Sequence, residues 1–159
     1  MSEYKQIISH SSGETHALGK EFAAELHLGD CVALSGELGS GKTKFVQGIC
    51  EYFQCLEQVT SPTFTIINEY HGTKRIAHCD LYRLNTADEL FETGLVPLFD
   101  DDCILLIEWA EKALSLLPIP RWECVFEHIS DEQKRNIRIN RIEKRDRSSL
   151  RHISEFIFQ

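Results

Sequence analysis

The stretch Cys31-Val-Ala-Leu-Ser35, Gly36-Glu-Leu-Gly-Ser-Gly41, Lys42-Thr-Lys-Phe45 decides the fold. Cys31 to Ser35 is the short apolar run that a strand buried on both faces requires. Lys42 to Phe53 reads as a helix with Phe45, Ile49 and Phe53 on one face. Between them, Gly36-Glu-Leu-Gly-Ser-Gly-Lys-Thr43 matches the pattern Gly-x-x-x-x-Gly-Lys-Ser/Thr in its required strand–loop–helix setting. Four such positions coincide by chance in roughly one chain of this length in two hundred. Glycines let backbone N–H groups converge on an anion, and the helix that follows presents its positive end to the same point. Gly36, Glu37, Leu38, Gly39, Ser40, Gly41, Lys42 and Thr43 are therefore candidate ligands of a nucleoside triphosphate. Lys42 supplies a point charge to the β- and γ-phosphates, and Thr43 a hydroxyl to Mg2+.

Working outward, Lys5 to Ser9 reads as a strand, and Ser11-Ser-Gly-Glu14 as a reciprocal capping box that opens a helix to about Leu26. Thr63 to Tyr70 and Arg75 to Cys79 read as an antiparallel hairpin. Thr86-Ala-Asp-Glu89 is a second capping box, opening a short helix that ends before Gly94. Cys103 to Ile107 is another buried strand, and Trp109 to Leu117 a helix stopped by Pro118 and Pro120. Trp122 to Ile129 and Asn136 to Ile142 alternate as late, paired strands. Buried strands alternating with helices predict an α/β fold of the P-loop NTPase type, a mixed sheet flanked by helices with antiparallel hairpin strands added.

The 159 residues suit one domain, 1–159, of which about 142–159 reads as a basic extension. Apolar residues make up 42% and charged residues 26%, which excludes a disordered, collagenous or coiled-coil chain. No apolar run approaches the roughly 20 residues of a membrane span, and the N-terminal residues lack a signal pattern. The six cysteines, at gaps of 19, 5, 24, 24 and 21, contain no Cys-x-x-Cys pair, and several sit in apolar runs. They are expected to be reduced core thiols of a cytosolic protein. The seven histidines show no metal spacing. Lys134 to Arg151 holds eight basic and two acidic residues, a local +6 that leaves −14 for the rest of a chain whose total is −8. An acidic body argues against broad nucleic-acid binding; the basic segment could touch an RNA or an acidic partner, and a solvated segment is the favoured expectation.

A phosphate loop needs an acidic residue at a neighbouring strand end to hold the metal or its waters. Glu108, after the more continuously apolar strand, is the candidate for the Mg2+ shell. Asp80 is expected as a second carboxylate on the metal side, or to orient the attacking water. Thr60-Ser-Pro-Thr-Phe64 has the composition of a rigid loop near the γ-phosphate, and Trp109 follows Glu108 as a further candidate nucleotide contact. The Asn-Lys-x-Asp quartet that reads guanine is missing, which favours ATP.

Gly36-Glu-Leu-Gly-Ser-Gly-Lys-Thr43, Thr60-Ser-Pro-Thr-Phe64, Asp80-Leu-Tyr-Arg-Leu84 and Ile107-Glu-Trp-Ala110 together resemble the bacterial tRNA threonylcarbamoyladenosine biosynthesis ATPases of the TsaE (YjeE) type. Glu14-Thr15-x-x-Leu18-Gly19 resembles the N-terminal helix of that family. The likeness runs from about Glu14 to Pro120 and is loose beyond. It implies a cytosolic Mg2+-dependent ATPase supporting the complex that places threonylcarbamoyl on adenosine 37 of tRNAs reading ANN codons. It further implies two partners of the TsaB and TsaD types that form the transferase core, which ATP hydrolysis resets, with tRNA met only through the complex. Carried over by residue, Lys42 and Thr43 match the phosphate and Mg2+ positions, Asp80 and Glu108 the acidic positions, and Trp109 a family tryptophan.

No arginine can be assigned from sequence as a finger in cis, although Arg83 is near Asp80; slow hydrolysis by the isolated chain is the expectation. Two other readings stay open at this point. A small-molecule kinase would use the same loop, yet Lys112 is the only cation between Glu108 and Pro120 from which to build a lid. A nucleotide-gated interaction module would bind ATP and switch partner affinity with hydrolysis incidental.

Overall fold

The alternation along Cys31–Gly36 and Ile104–Glu108 divides the interior in two. Val32, Leu34, Ile104 and Leu106 turn to one face of the sheet and Cys31, Ala33, Leu105 and Ile107 to the other, and all eight are at most 3% exposed. Strands with this pattern must be covered on both sides. The computed structural model, which describes residues 4–62, 67–129 and 133–143, shows how.

Seven strands form one sheet: β1 (Tyr4–Ser9), β2 (Cys31–Gly36), β3 (Ile67–His71), β4 (Arg75–Asp80), β5 (Ile104–Glu108), β6 (Arg121–His128) and β7 (Arg135–Ile142), in the order β1-β7-β6-β2-β5-β4-β3. The inner four, β6-β2-β5-β4, run parallel, while β1 and β7 on one side and β3 on the other are antiparallel additions. Helices α1 (Ser12–Ala23) and α2 (Lys42–Tyr52) cover one face. Phe22 meets Trp122 edge-on at 5.3 Å and Phe45 meets Phe126 at the same separation, which docks both helices on β6. The opposite face is covered by 3-10 segments at Ala87–Glu92, Val96–Asp100, Ala110–Lys112 and Leu114–Leu116. All six cysteines are free, and five are buried.

Several local expectations are corrected. Ser11 caps α1 by accepting the Glu14 N–H at 3.1 Å, but the Glu14 carboxylate reaches past it to the His10 N–H at 2.7 Å, so only half of the box forms. The helix ends at Ala23, short of Leu26. Thr86 makes no capping bond; Glu89 accepts from the Asn85 N–H at 3.2 Å, and the turn that follows is 3-10. Trp109 to Leu117 is no single helix. Trp109 has a left-handed φ of 57°, and Ala113 at φ −148° splits the remainder into two short 3-10 turns. Residues 63–66 and the basic stretch from 144 onward lie outside the described residues.

The two helices cross at glycines. A Cβ on Gly19 would stand 2.1 Å from the Phe45 carbonyl oxygen, and one on Gly48 2.0 Å from that of His16. Backbone contacts of this kind fix how α2, and the loop preceding it, sits on the sheet. Gly48→Ala is expected to destabilise the fold by about 1–3 kcal/mol, despite the better helix propensity of alanine. At roughly 2–4 °C per kcal/mol, thermal unfolding reads this directly. Gly13→Ala, in the first turn of α1 with only Ser11 Oγ nearby at 3.7 Å, is the matched substitution expected to be neutral or mildly stabilising.

Candidate functional site

The loop between β2 and α2 is built to receive an anion. Gly39 and Gly41 hold φ of 74° and 103°, in the left-handed region, and Gly41 leaves the start of α2 without a side-chain cap or an acidic residue in its first turn. This contrasts with α1, which has both. Gly41 is also confined by space, since a Cβ there would lie 3.2 Å from the Thr15 methyl carbon. Ser40 is 1% exposed, and its Oγ has no hydrogen-bond partner among the described residues. An orphaned buried hydroxyl beside the uncapped start of α2 suits a bound phosphate. Glu37 and Leu38 lie exposed on the outer edge of the loop.

Lys42 is folded inward. Its Nζ donates to the Gly36 carbonyl, lies 3.5 Å from that of Glu37, and sits 3.8 Å above the centroid of the Trp109 ring. Burial pulls its pKa below the ordinary lysine value, against the opposing pull of the Glu111, Glu108 and Asp80 carboxylates. Trp109, packed against Tyr82 at 5.0 Å between ring centroids, is thus the face on which the Lys42 ammonium rests.

Parallel register brings the acids to the loop. Leu34 pairs with Glu108, and Glu108 with Asp80, so both carboxylates emerge at the carboxyl ends of adjacent strands beside the start of the loop. Thr43 Oγ1 donates to Glu108 Oε1 at 3.0 Å. The other oxygen, Oε2, is 2.5 Å from Nε2 of the fully buried His78, whose Nδ1 is 3.0 Å from the Tyr70 hydroxyl. That hydroxyl lies 3.1 Å from the Thr60 carbonyl. His78 thus bridges the Tyr70 hydroxyl and the Glu108 carboxylate through its two ring nitrogens. Asp80, 8% exposed, accepts from Ser61 Oγ at 2.9 Å and from the Tyr82 N–H at 2.8 Å.

The structure therefore gathers Lys42, Thr43, Glu108 and Asp80 as a group. Thr60 joins them through its backbone, while Ser61 is the residue of that loop whose hydroxyl reaches Asp80. Sequence reasoning missed His78, Tyr70 and Glu111. His78 was within reach, because strand alternation places it on the same face as Asp80, two residues on. Glu111 accepts the Gly36 N–H at 3.0 Å and carries a buried Oε1 with no hydrogen-bond partner among the described residues. Burial raises its pKa, with the Gly36 bond and Lys42 acting in the other direction.

A hydroxyl, two carboxylates and phosphate oxygens form the all-oxygen donor set that Mg2+ prefers, which it completes with water. Among the described residues no cluster of three or more His, Cys, Asp or Glu side chains forms a ready-made metal site. No described helix is long and apolar enough to cross a membrane.

Comparison with known proteins extends this picture. The family model of the threonylcarbamoyl adenosine biosynthesis protein TsaE matches residues 9–137. The tRNA threonylcarbamoyladenosine biosynthesis protein TsaE of Rickettsia bellii is 40% identical over 134 residues, covering 81% of this chain and 90% of the relative. The protein of the same name from Bacillus subtilis is 38% identical over 122 residues, 76% of each chain. The crystal structure of YdiB from Bacillus subtilis superposes with a TM-score of 0.76 at 29% identity, over 98% of this chain and 95% of that one. The fold is that of a P-loop NTPase, and the chain belongs to the TsaE family of tRNA threonylcarbamoyladenosine biosynthesis.

Proposed function

We propose that the chain is a Mg2+-dependent ATPase whose hydrolysis resets the threonylcarbamoyl transferase core, formed by partners of the TsaB and TsaD types, in the bacterial cytoplasm. The observation that carries this reading is the Thr43–Glu108–His78 chain beside a phosphate loop whose lysine is already inward. Loop N–H groups and Lys42 would hold the β- and γ-phosphates. Thr43 and Glu108 would hold Mg2+, which when bound offsets the charge that develops between β- and γ-oxygens. His78, held from behind by Tyr70, would keep the Glu108 carboxylate oriented next to the Thr43 hydroxyl. Asp80, held by Ser61 and the Tyr82 N–H, would orient a water.

A partner is supported by what flanks the site. Leu38 on the loop is 78% exposed, and Tyr82 just after Asp80 is 49% exposed. In this reading a partner would meet the site through these two exposed side chains. A missing arginine finger costs about 10³–10⁵ in rate, so the chain should turn over slowly until partners complete the site.

Purified chain with Mg2+ and ATP, assayed alone and with the cognate transferase pair, is expected to show slow release of phosphate that rises sharply with the pair and vanishes in Lys42→Ala. Fast turnover unaffected by the pair would contradict the reading, and phosphate transfer to a metabolite would replace it with the kinase reading. The support given by His78 is separable. His78→Ala is expected to lower turnover by about 10–100-fold with ATP affinity little changed, and His78→Gln to recover part of the loss. Unaltered turnover in a folded His78→Ala chain would remove His78 from the mechanism.

A further inference from the structure

The phosphate site uses none of the cysteines, and two of them, Cys50 and Cys55, meet at the far end of α2. The helix closes in a turn where Gln54 takes a left-handed φ of 58°. There the Gln54 N–H donates to the Glu51 carbonyl and the Cys55 N–H to the Cys50 carbonyl, both at 3.0 Å. A helix stop of this form brings the residue just past the end against one in the last turn, and the contact is ordinarily hydrophobic. Here both positions hold cysteine, and the two thiols are hydrogen-bonded to each other. We propose that Cys55 is an oxidation site for hydroperoxides and Cys50 its resolving thiol, the two closing into a reversible disulfide. The proposal does not depend on the nucleotide reading, because Lys42 and Thr43 stand at the opposite end of the helix.

The two sulfurs differ in access. Cys50 is 2% exposed and belongs to the core, whereas Cys55 is half-buried at its border, beside the fully turned-out Leu56. An oxidant arriving from water therefore meets Cys55 first. The hydrogen bond from Cys50 pulls the Cys55 thiol below its ordinary pKa, against burial and the Glu57 carboxylate, while the same bond and burial push Cys50 up. The thiolate is the form that attacks, so access and ionisation select the same sulfur. Cys31, Cys79, Cys103 and Cys124 are at most 1% exposed, and burial raises the pKa of each.

The segment that carries Cys55 is pinned in place. The Phe53 carbonyl accepts the Thr73 N–H at 2.7 Å, the Leu56 N–H donates to the His71 carbonyl at 3.3 Å, and Glu57 accepts the His71 N–H at 2.8 Å. A Cβ on Gly72 would stand 2.0 Å from the Phe53 carbonyl oxygen, so the turn between β3 and β4 lies directly on this segment. The thiols are thus held together before any oxidant arrives, which makes closure of the disulfide a unimolecular step. The Cys55 thiolate attacks hydrogen peroxide, the O–O bond breaks, and sulfenic acid and hydroxide form; the sulfur loses the two electrons that the peroxide gains. The Cys50 sulfur then forms the S–S bond, and the sulfenic hydroxyl leaves with the Cys50 proton as water. Two thiols and one peroxide give one disulfide and two waters.

Mass spectrometry after hydrogen peroxide treatment of the reduced chain, followed by denaturation in iodoacetamide and digestion with trypsin, tests the assignment. Cys50 and Cys55 fall on the tryptic peptide of residues 45–74, which holds no other cysteine. This peptide is expected to escape alkylation and to become lighter by two hydrogen atoms, at least about tenfold faster than any of the four buried thiols reacts, and to be restored by dithiothreitol. In Cys50→Ala, Cys55 is expected to stop at the sulfenic acid and be labelled by dimedone; in Cys55→Ser, Cys50 is expected to stay unlabelled. Wild-type chain whose Cys50 and Cys55 remain alkylatable as long as the other four would overturn the proposal without recourse to either variant. Dimedone labelling of Cys50 in Cys55→Ser as readily as of Cys55 in Cys50→Ala would overturn the division into attacking and resolving thiols.

Discussion

The hydrogen bond between Thr43 and Glu108 is the contact on which the site depends, and it joins groups 65 residues apart. Neither end is free to choose its position. Thr43 is placed by the glycine turns that lead into α2 and by the Gly19 and Gly48 crossing that seats α2 against α1. Glu108 is placed by the parallel pairing of β5 with β2 and β4, which brings its carboxylate level with the end of β2. The two hydrophobic layers that hold this register are therefore part of the functional machinery, although none of their side chains carries chemistry.

Burial gives the same contact its electrostatic weight. Glu108 is 2% exposed and Lys42 5%, and a carboxylate or ammonium taken so far from water needs compensation. His78 provides it for Glu108, in a chain of hydrogen bonds ending at the Thr60 carbonyl. For Lys42 it comes from loop carbonyls, the Trp109 ring and the carboxylates around it. The left-handed backbone at Trp109 belongs to this arrangement, since it sets the indole beneath the ammonium.

What could be read from sequence follows from the range of the interactions involved. The strand, glycine loop and helix around residues 31–53 were legible because local period and turn chemistry agree there. Strand order was not, because the β1–β7 and β2–β6 pairings join segments about ninety or more residues apart without any local mark. The stretch Ala110-Glu-Lys-Ala-Leu-Ser-Leu-Leu117 has strong helix propensity, and tertiary demands at Trp109 and Ala113 override it. The late strand expected at Asn136 to Ile142 does form, as β7 (Arg135–Ile142), and carries three of the eight basic residues between Lys134 and Arg151. Arg135 bonds to Gly39, Arg138 pairs with Glu127, and Arg141 pairs with Glu143 while lying 5.1 Å from the Trp122 ring. Among the candidate residues, Lys42, Thr43, Asp80 and Glu108 came from the motif, whereas Glu111 was invisible until the chain turn at Trp109 brought it to the Gly36 N–H.

The central claim is that Glu108, held by His78 against Thr43, serves hydrolysis rather than nucleotide capture or folding. Replacing it with glutamine keeps the shape and removes the charge. The direct test compares ATP binding, assembly with the transferase pair, and threonylcarbamoylation of tRNA in wild type and Glu108→Gln. The account predicts that the variant binds ATP and assembles but neither hydrolyses ATP nor sustains repeated tRNA modification. Full tRNA modification by a variant without hydrolysis would contradict it and leave a nucleotide-gated switch in its place.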